Sequence, residues 1–243
     1  MAEAAAATPS TTAYNERLFS RRGLRRWYHM ARFHWVRDKV ERHIEGELRL
    51  VELGCYDGRL YETLKPRVGE YVGFDSELSL GMELAQSKYA GTKGVTLVVA
   101  DDPAALGLFA DRHFNAAAAL ETLEHVPPEL VNGYLDQLRR VTGGHLFVTV
   151  PNELGPVFLA KFIAKRLLFS GGERYSFREL VAATLGRSDR IRRLQHKGFD
   201  YRQLLAEIRK RFEIIAVEGL PKVGLPAALS PTVAILARSR ANA

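Results

Sequence analysis

The chain has 243 residues, of which 47% are apolar and 26% are charged, and it contains a single cysteine. That length suits one large domain, and one cysteine excludes an internal disulfide and argues against a cysteine-based zinc site. No apolar run reaches the roughly 18 residues that a transmembrane helix needs, so we predict none and expect a cytoplasmic protein. The net charge of +7 suits either an anionic partner (membrane, nucleic acid or phosphorylated substrate) or only a solvated basic surface.

The N-terminal part of the chain divides into a leader and a helical segment. Residues 1–13 are small and polar, with neither the positive start nor the apolar stretch of a secretory signal, so we expect a disordered leader. Residues 14–46 contain no proline and are rich in arginine, leucine and aromatics. This composition predicts one or two helices packing on a core domain, with an interruption at Gly23.

Strand and helix patterns alternate from residue 48 onward. Strands are predicted at residues 48–53, 71–74, 95–100, 114–120, 145–150, 212–217 and 232–237, and helices at 58–64, 77–89 and 128–141. Alternation of this kind predicts a mostly parallel α/β sheet covered on both faces. No helical pattern separates the last two strands, so we expect them to pair as an antiparallel hairpin. The core then comprises residues 47–151 and 201–243, and residues 152–200 form a cap insertion.

The loop after the first predicted strand reads Glu-Leu-Gly-Cys-Tyr-Asp-Gly over residues 52–58. Ligands of open α/β sheets bind outside the carboxyl ends of the strands, and glycines there allow tight turns and close ligand approach. Asp75 follows Gly54 by 21 residues, a distance that suits hydrogen bonds to ribose hydroxyls. A pyrophosphate loop needs glycines where Tyr56 and Arg59 stand, so adenosine without phosphates is the better fit.

These residues resemble the first motif of class I S-adenosylmethionine (SAM)-dependent methyltransferases, acidic-x-Gly-x-Gly-x-Gly. Glu52 takes the acidic position, Gly54 and Gly58 the outer glycines, and Tyr56 replaces the central glycine. The resemblance implies a seven-stranded Rossmann-like fold, with Asp75 and Ser76 at the ribose and Asp101 and Asp102 near the adenine. The cofactor-binding residues that it implies are Glu52, Gly54, Cys55, Tyr56, Gly58, Asp75, Ser76, Asp101, Asp102, Leu120 and Glu121.

The segment after the fourth strand, residues 121–127, brings two carboxylates and an imidazole together in sequence. Methyl transfer to a hydroxyl needs that hydroxyl's proton removed, and His125 is the candidate base, with Glu124 beside it. The pattern resembles the O-methyltransferases of ubiquinone biosynthesis and also the small-RNA 2′-O-methyltransferases. The second resemblance implies a Mg²⁺ or Mn²⁺ site formed by Glu121, Glu124, His125 and His196. The alternative is that Glu124 or His125 only fixes the loop.

Residues 155–169 are apolar with three basic residues and are too short to span a bilayer. They suit an interfacial helix on an anionic membrane, a lid over the substrate, or a buried cap helix. The leading function is O-methylation of a small-molecule, lipid-linked or sugar hydroxyl. The alternatives are an RNA 2′-O-methyltransferase, less favoured because no separate RNA-binding module is visible, and a non-catalytic SAM-binding protein. The sequence predicts no particular oligomeric state.

Overall fold

The computed structural model describes residues 23–76, 80–168, 175–192 and 197–240. The predicted leader at residues 1–13 and His196 lie outside this part of the chain. Within it, no helix combines the length and the apolar character needed to cross a bilayer.

Seven helices and seven strands make up the described fold. The helices are α1 (Leu24–His43), α2 (Arg59–Leu64), α3 (Leu80–Lys88), α4 (Pro128–Val141), α5 (Gly155–Leu168), α6 (Phe177–Thr184) and α7 (Tyr201–Arg211). The strands are β1 (Leu48–Leu53), β2 (Val68–Asp75), β3 (Val95–Val99), β4 (Phe114–Leu120), β5 (Thr142–Pro151), β6 (Phe212–Leu220) and β7 (Thr232–Ser239).

The strands form one sheet in the order β3-β2-β1-β4-β5-β7-β6. Neighbouring strands from β3 to β5 are parallel, and β7 runs antiparallel to both β5 and β6. The predicted Rossmann-like sheet with an antiparallel final pair is therefore confirmed. β2, β5 and β6 are each longer than predicted, because pairing with neighbouring strands extends them into stretches whose own sequence is not apolar.

Helices cover both faces of the sheet. Apolar side chains of α1, α2 and α3 pack on one face, and those of α4 and α7 pack on the other. The alanines at 116–119 of the central strand β4 are completely buried, alternately on one face and the other. Their small side chains let the helices of both layers approach the sheet closely, which explains why an alanine-rich segment forms a strand.

α1 runs from the carboxyl edge of the sheet to its amino edge. At its start, the Tyr28 hydroxyl lies 2.9 Å from Oγ1 of Thr232, the residue that pairs with the last residue of β5. At its end, the His43 ring lies 5.6 Å from the ring of His145, near the beginning of β5. Gly23, where we predicted an interruption, immediately precedes the helix and has a φ of 142°.

The cap insertion is held together at its base by Asn152, which directly follows β5 and is buried. Its side-chain amide donates to the carbonyls of Ala227, Ala228 and Ser230, at 3.1–3.4 Å. Its own carbonyl accepts from Lys161 of α5 at 3.2 Å. Asn152 thereby joins the cap helix to the segment that precedes β7. The small apolar cluster of the cap consists of Leu154, Phe158, Ala182, Ala183 and Ile191.

Candidate active site

The strand order reverses between β1 and β4, and such a switch point opens a crevice at the carboxyl edge of an α/β sheet. The loop after β1 is tied to the end of β2 there. The backbone amides of Gly54 and Cys55 donate to the Phe74 carbonyl at 2.8 and 3.0 Å. The Tyr56 amide donates to Oδ2 of Asp75 at 2.8 Å. The predicted loop and the predicted ribose-binding carboxylate therefore lie side by side.

Both glycines of the loop adopt left-handed backbone conformations, with φ of 70° at Gly54 and 69° at Gly58. A β-carbon on Gly54 would collide with the side chain of Thr122, and one on Gly58 would lie 2.7 Å from the ring of Tyr89. The sequence predicted close approach by a ligand, whereas the structure adds close approach by protein side chains. Sequence reasoning missed Thr122, whose hydroxyl donates to the Leu53 carbonyl at 3.1 Å.

Tyr56, the residue that departs from the family motif, also has a positive φ, of 48°. Its ring lies directly against Gly81 of α3, where a β-carbon would overlap it. Gly81 therefore accommodates the aromatic ring, and the turn keeps its shape without a central glycine.

The side chains of Glu52 and Cys55, two residues of this segment, are buried in the protein interior. The Tyr71 hydroxyl donates to Oε2 of Glu52 at 2.6 Å, and burial raises the pKa of Glu52 to about 8. Burial also raises the pKa of the Cys55 thiol well above its ordinary value. Both side chains are therefore neutral at pH 7.

The residues predicted to lie near the adenosine follow β2 and β3 at the same edge. The Asp75 carbonyl accepts from the Ala100 amide at 2.8 Å, which brings the two strand ends together. Oδ1 of Asp102 accepts from the Ala104 amide at 2.7 Å and so caps a 3₁₀ turn. Ser76 and Asp101 are exposed beside them.

Two glutamates follow β4. Glu121 has a φ of 56°, and its amide donates to the Thr149 carbonyl of β5 at 2.8 Å; Leu120 before it is buried. Glu124 is 1% exposed. Within the described residues, Oε1 of Glu121 and both carboxyl oxygens of Glu124 are buried without a hydrogen-bond partner. Burial raises the pKa of both groups, and the charge of Glu121 raises that of Glu124 further.

Arg32 of α1 reaches the same region, and sequence reasoning missed it. Its Nε is buried without a hydrogen-bond partner in the described part of the chain. Its positive charge lowers the pKa of Glu121 and Glu124, although burial outweighs that effect. The only signal in the sequence was an arginine in an aromatic-rich helix. It indicates a site residue only when the start of α1 is known to lie at the carboxyl edge of the sheet.

His125, the predicted base, lies on the turn before α4, and its amide donates to the Thr122 carbonyl at 2.9 Å. Its residue is largely exposed, and partial desolvation lowers the pKa of the imidazole. The ring is therefore neutral at pH 7, the state in which it can accept a proton.

The predicted metal site receives no support from this geometry. Over the described ranges, no three histidine, cysteine, aspartate or glutamate side chains come together as metal ligands. The fourth predicted ligand, His196, lies outside those ranges. In the described part of the chain, Glu121, Glu124 and His125 therefore do not form the cluster of ligands that was predicted for Mg²⁺ or Mn²⁺.

Solved structures that include two methyltransferases share this fold. The chain superimposes on the PH0226 protein from Pyrococcus horikoshii with a TM-score of 0.62 and 14% identity, covering 87% of this chain and 91% of that one. A SAM-dependent methyltransferase from Aquifex aeolicus gives 0.54 and 12%, covering 87% and 93%. The N-methyltransferase NodS from Bradyrhizobium japonicum, in complex with S-adenosyl-L-homocysteine (SAH), gives 0.54 and 12%, covering 88% and 87%.

No curated protein shows a significant match to the sequence. A family model described as a methyltransferase domain matches residues 16–206. That match runs from the segment before α1 to α7 and includes every candidate site residue described above. Since it covers most of the 243 residues, the chain belongs to the methyltransferase domain family.

Proposed function

We propose that this protein transfers a methyl group from SAM to a hydroxyl of a small molecule, a lipid-linked compound or a sugar. The observation that carries the proposal is the meeting of two loops at the switch point. The turn at Gly54 and the Asp75 carboxylate flank one side, and Glu121 flanks the other with an unpartnered buried oxygen. This arrangement offers the Asp75 carboxylate to the ribose of adenosine at one end and the Glu121 carboxylate to an ammonium group at the other.

The structural neighbours support the choice of cofactor. One of them is a SAM-dependent methyltransferase, and another was solved with SAH. When bound, SAM supplies a methyl group activated by attachment to a sulfonium. The Asp75 carboxylate is the group suited to the two ribose hydroxyls, because its Oδ2 is already oriented by the Tyr56 amide.

The methionine portion of SAM is a zwitterion, and the site contains one candidate partner for each of its charges. The Glu121 carboxylate, with its unpartnered oxygen, is suited to the ammonium, and the Arg32 guanidinium, with its unpartnered Nε, is suited to the carboxylate. A buried charged group without a hydrogen-bond partner raises the free energy of the protein. A ligand that hydrogen-bonds to both Glu121 and Arg32 removes that penalty and therefore gains affinity.

His125 is suited to remove the acceptor's proton. Its imidazole is neutral at pH 7 and lies on the turn that follows Glu121 and Glu124. Glu124 is buried, and burial together with the charge of Glu121 raises its pKa well above the ordinary value of a carboxyl group, which favours the protonated acid over the carboxylate that a base would need. We therefore assign the base to His125 and a positioning role to Glu124.

Calorimetric titration of the full chain with SAH tests the cofactor assignment. Asp75→Ala should weaken binding about a hundredfold, because it removes charge-assisted hydrogen bonds to two hydroxyls. Asp75→Asn keeps an oxygen for the Tyr56 amide and should weaken binding less. Glu83→Ala, an exposed acidic position on α3, is the matched control and should not change it. Unchanged affinity in Asp75→Ala, or no SAH binding by the wild type, would contradict the proposal.

A product assay with methyl-labelled SAM separates catalysis from binding alone. Label transferred to an extracted acceptor supports an enzyme, whereas binding of SAH without transfer to any acceptor would favour a SAM-binding protein that does not catalyse. A chelator added to the same assay tests the metal-dependent RNA alternative, which requires that transfer stop.

A further inference from the structure

Exposed apolar side chains are concentrated at the carboxyl edge of the sheet, on and around the cap. Phe177 and Val181 of α6, and Leu185 directly after its last residue, follow one another at four-residue intervals and so lie on one side of the helix. Phe177 is 81% exposed and Leu185 is 65% exposed. The opposite face of the same helix packs into the cap through Ala182 and Ala183. α6 therefore has two apolar faces, one buried in the cap and one exposed.

Two further exposed apolar groups belong to the same edge. The segment between β6 and β7 carries three exposed side chains, Val223, Leu225 and Leu229. It lies at the carboxyl edge because β6 ends there and the antiparallel β7 begins there. Its 3₁₀ turn, Ala227–Leu229, also packs against α5 of the cap.

Trp27 is the third exposed apolar group at this edge. It is 53% exposed and precedes Tyr28, whose hydroxyl meets Thr232 at the start of β7. Tryptophan is typical of positions where an apolar surface meets water, because its ring is apolar and its N–H is polar.

The charge around these groups is positive. Exposed basic residues flank the apolar side chains on every segment: Arg25, Arg26, Arg178, Arg187, Arg190, Arg192 and Lys222. A surface that combines exposed apolar side chains with an excess of exposed arginines is complementary to an anionic lipid surface, which offers both an acyl region and negative headgroups. A second copy of the chain would bring the same positive charges together and is disfavoured.

We infer that the carboxyl edge, through α6, the loop between β6 and β7 and Trp27, docks on anionic membrane surfaces. The sequence allowed membrane contact through residues 155–169, beside a lid and a buried cap helix. We place the contact on α6 instead, because Phe158 of the earlier segment is buried in the cap cluster while α6 presents exposed apolar side chains. This inference is independent of the proposed function, since its test needs no cofactor and no acceptor.

Vesicle sedimentation of the full chain tests the inference. The protein should sediment with phosphatidylcholine vesicles containing about a third phosphatidylglycerol, and not with pure phosphatidylcholine, and added salt should release it. Phe177→Ser/Leu185→Ser should lower the partition coefficient at least about tenfold. Leu108→Ser is the matched control: Leu108 is 78% exposed but follows Leu106, whose carbonyl binds Arg140 near the end of α4, at the opposite edge.

Charge and fluorescence give two independent readouts. Arg187→Glu/Arg190→Glu should lower binding to the anionic vesicles by at least about tenfold, and Arg209→Glu, exposed in the last turn of α7, should change it little. The chain has two tryptophans, and Trp35 is buried. A blue shift of emission on adding anionic vesicles should therefore come from Trp27 and disappear in Trp27→Phe.

Three results would overturn the inference. They are no sedimentation with anionic vesicles at low salt, an equal loss in Leu108→Ser, and no emission shift in the wild type when it is bound. A fourth result would assign the basic surface to nucleic acid. In it, the protein binds a single-stranded oligonucleotide but no vesicles, and the arginine variant abolishes that binding whereas the apolar variant does not.

Discussion

Replacing Gly54 with alanine tests how the two loops of the site fit together. The residue has a φ of 70°, and an added β-carbon would meet Oγ1, Cγ2 and Cβ of Thr122, with Cβ at 3.0 Å. Two costs follow, the left-handed backbone conformation and the collision. Only the collision depends on Thr122, so a second substitution there distinguishes the two costs.

Each of the two costs has its own size. A left-handed conformation costs a residue with a β-carbon about 1–2 kcal/mol, and an overpacked contact adds about 1–3 kcal/mol. Thr122→Ala alone loses the hydroxyl's bonds to the Leu53 and Leu120 carbonyls, at 3.1 and 3.3 Å, which is worth about 1 kcal/mol. The double variant should retain the cost of the backbone conformation and the loss of the two hydrogen bonds. It should avoid most of the collision, because alanine at position 122 lacks Oγ1 and Cγ2. We therefore expect it to be more stable than additivity predicts, by about 1–3 kcal/mol.

Urea unfolding of the wild type, both single variants and the double variant gives this coupling free energy. The same four proteins titrated with SAH show whether relieving the collision also restores binding. Strict additivity of the four unfolding free energies would refute the assignment of Thr122 as the neighbour that requires glycine at position 54. A double variant less stable than additivity predicts would refute it as well.

Three further predictions concern Arg32, Glu52 and the predicted metal site. Arg32→Ala should weaken SAH binding about tenfold in calorimetry, and the exposed Arg37→Ala on the same helix should not. Because burial raises the pKa of Glu52 to about 8, native protein keeps a proton that unfolded chain loses above about pH 4.3. Its unfolding free energy should therefore fall as pH rises from about 5 to 8, by at most about 1.4 kcal/mol per unit. Urea unfolding of Glu52→Gln should show a flatter pH dependence, and an unchanged slope would contradict this assignment. Chelation should leave Tm unchanged, since no three described ligands converge, and a fall of several degrees would point to a metal site that includes His196.

Local sequence patterns predicted the strands most accurately where both faces of the strand are buried. The bounds of β1 and β4 are those that the apolar runs indicated, because all but one position of each strand is buried and most of those positions are apolar. β5 and β6 extend beyond their apolar runs because of strand pairing: Thr142 of β5 pairs with Phe114 of β4, and the last residues of β5 and β6 pair with β7. The sequence contains no local record of that pairing.

The order of the elements and the loop after β1 were determined by the sequence itself. Alternating apolar runs specify a layered α/β fold, and Gly54, Gly58 and Asp75 mark the edge of the sheet where we propose that SAM binds, since each signal lies within one strand and its adjoining turn. Contacts between distant segments were decided by the tertiary structure alone. The charge of Arg32 acts on Glu121 only because α1 begins at the carboxyl edge of the sheet, and Thr122 meets Gly54 only because β4 lies beside β1. Such contacts depend on packing over long chain separations, which no local pattern encodes.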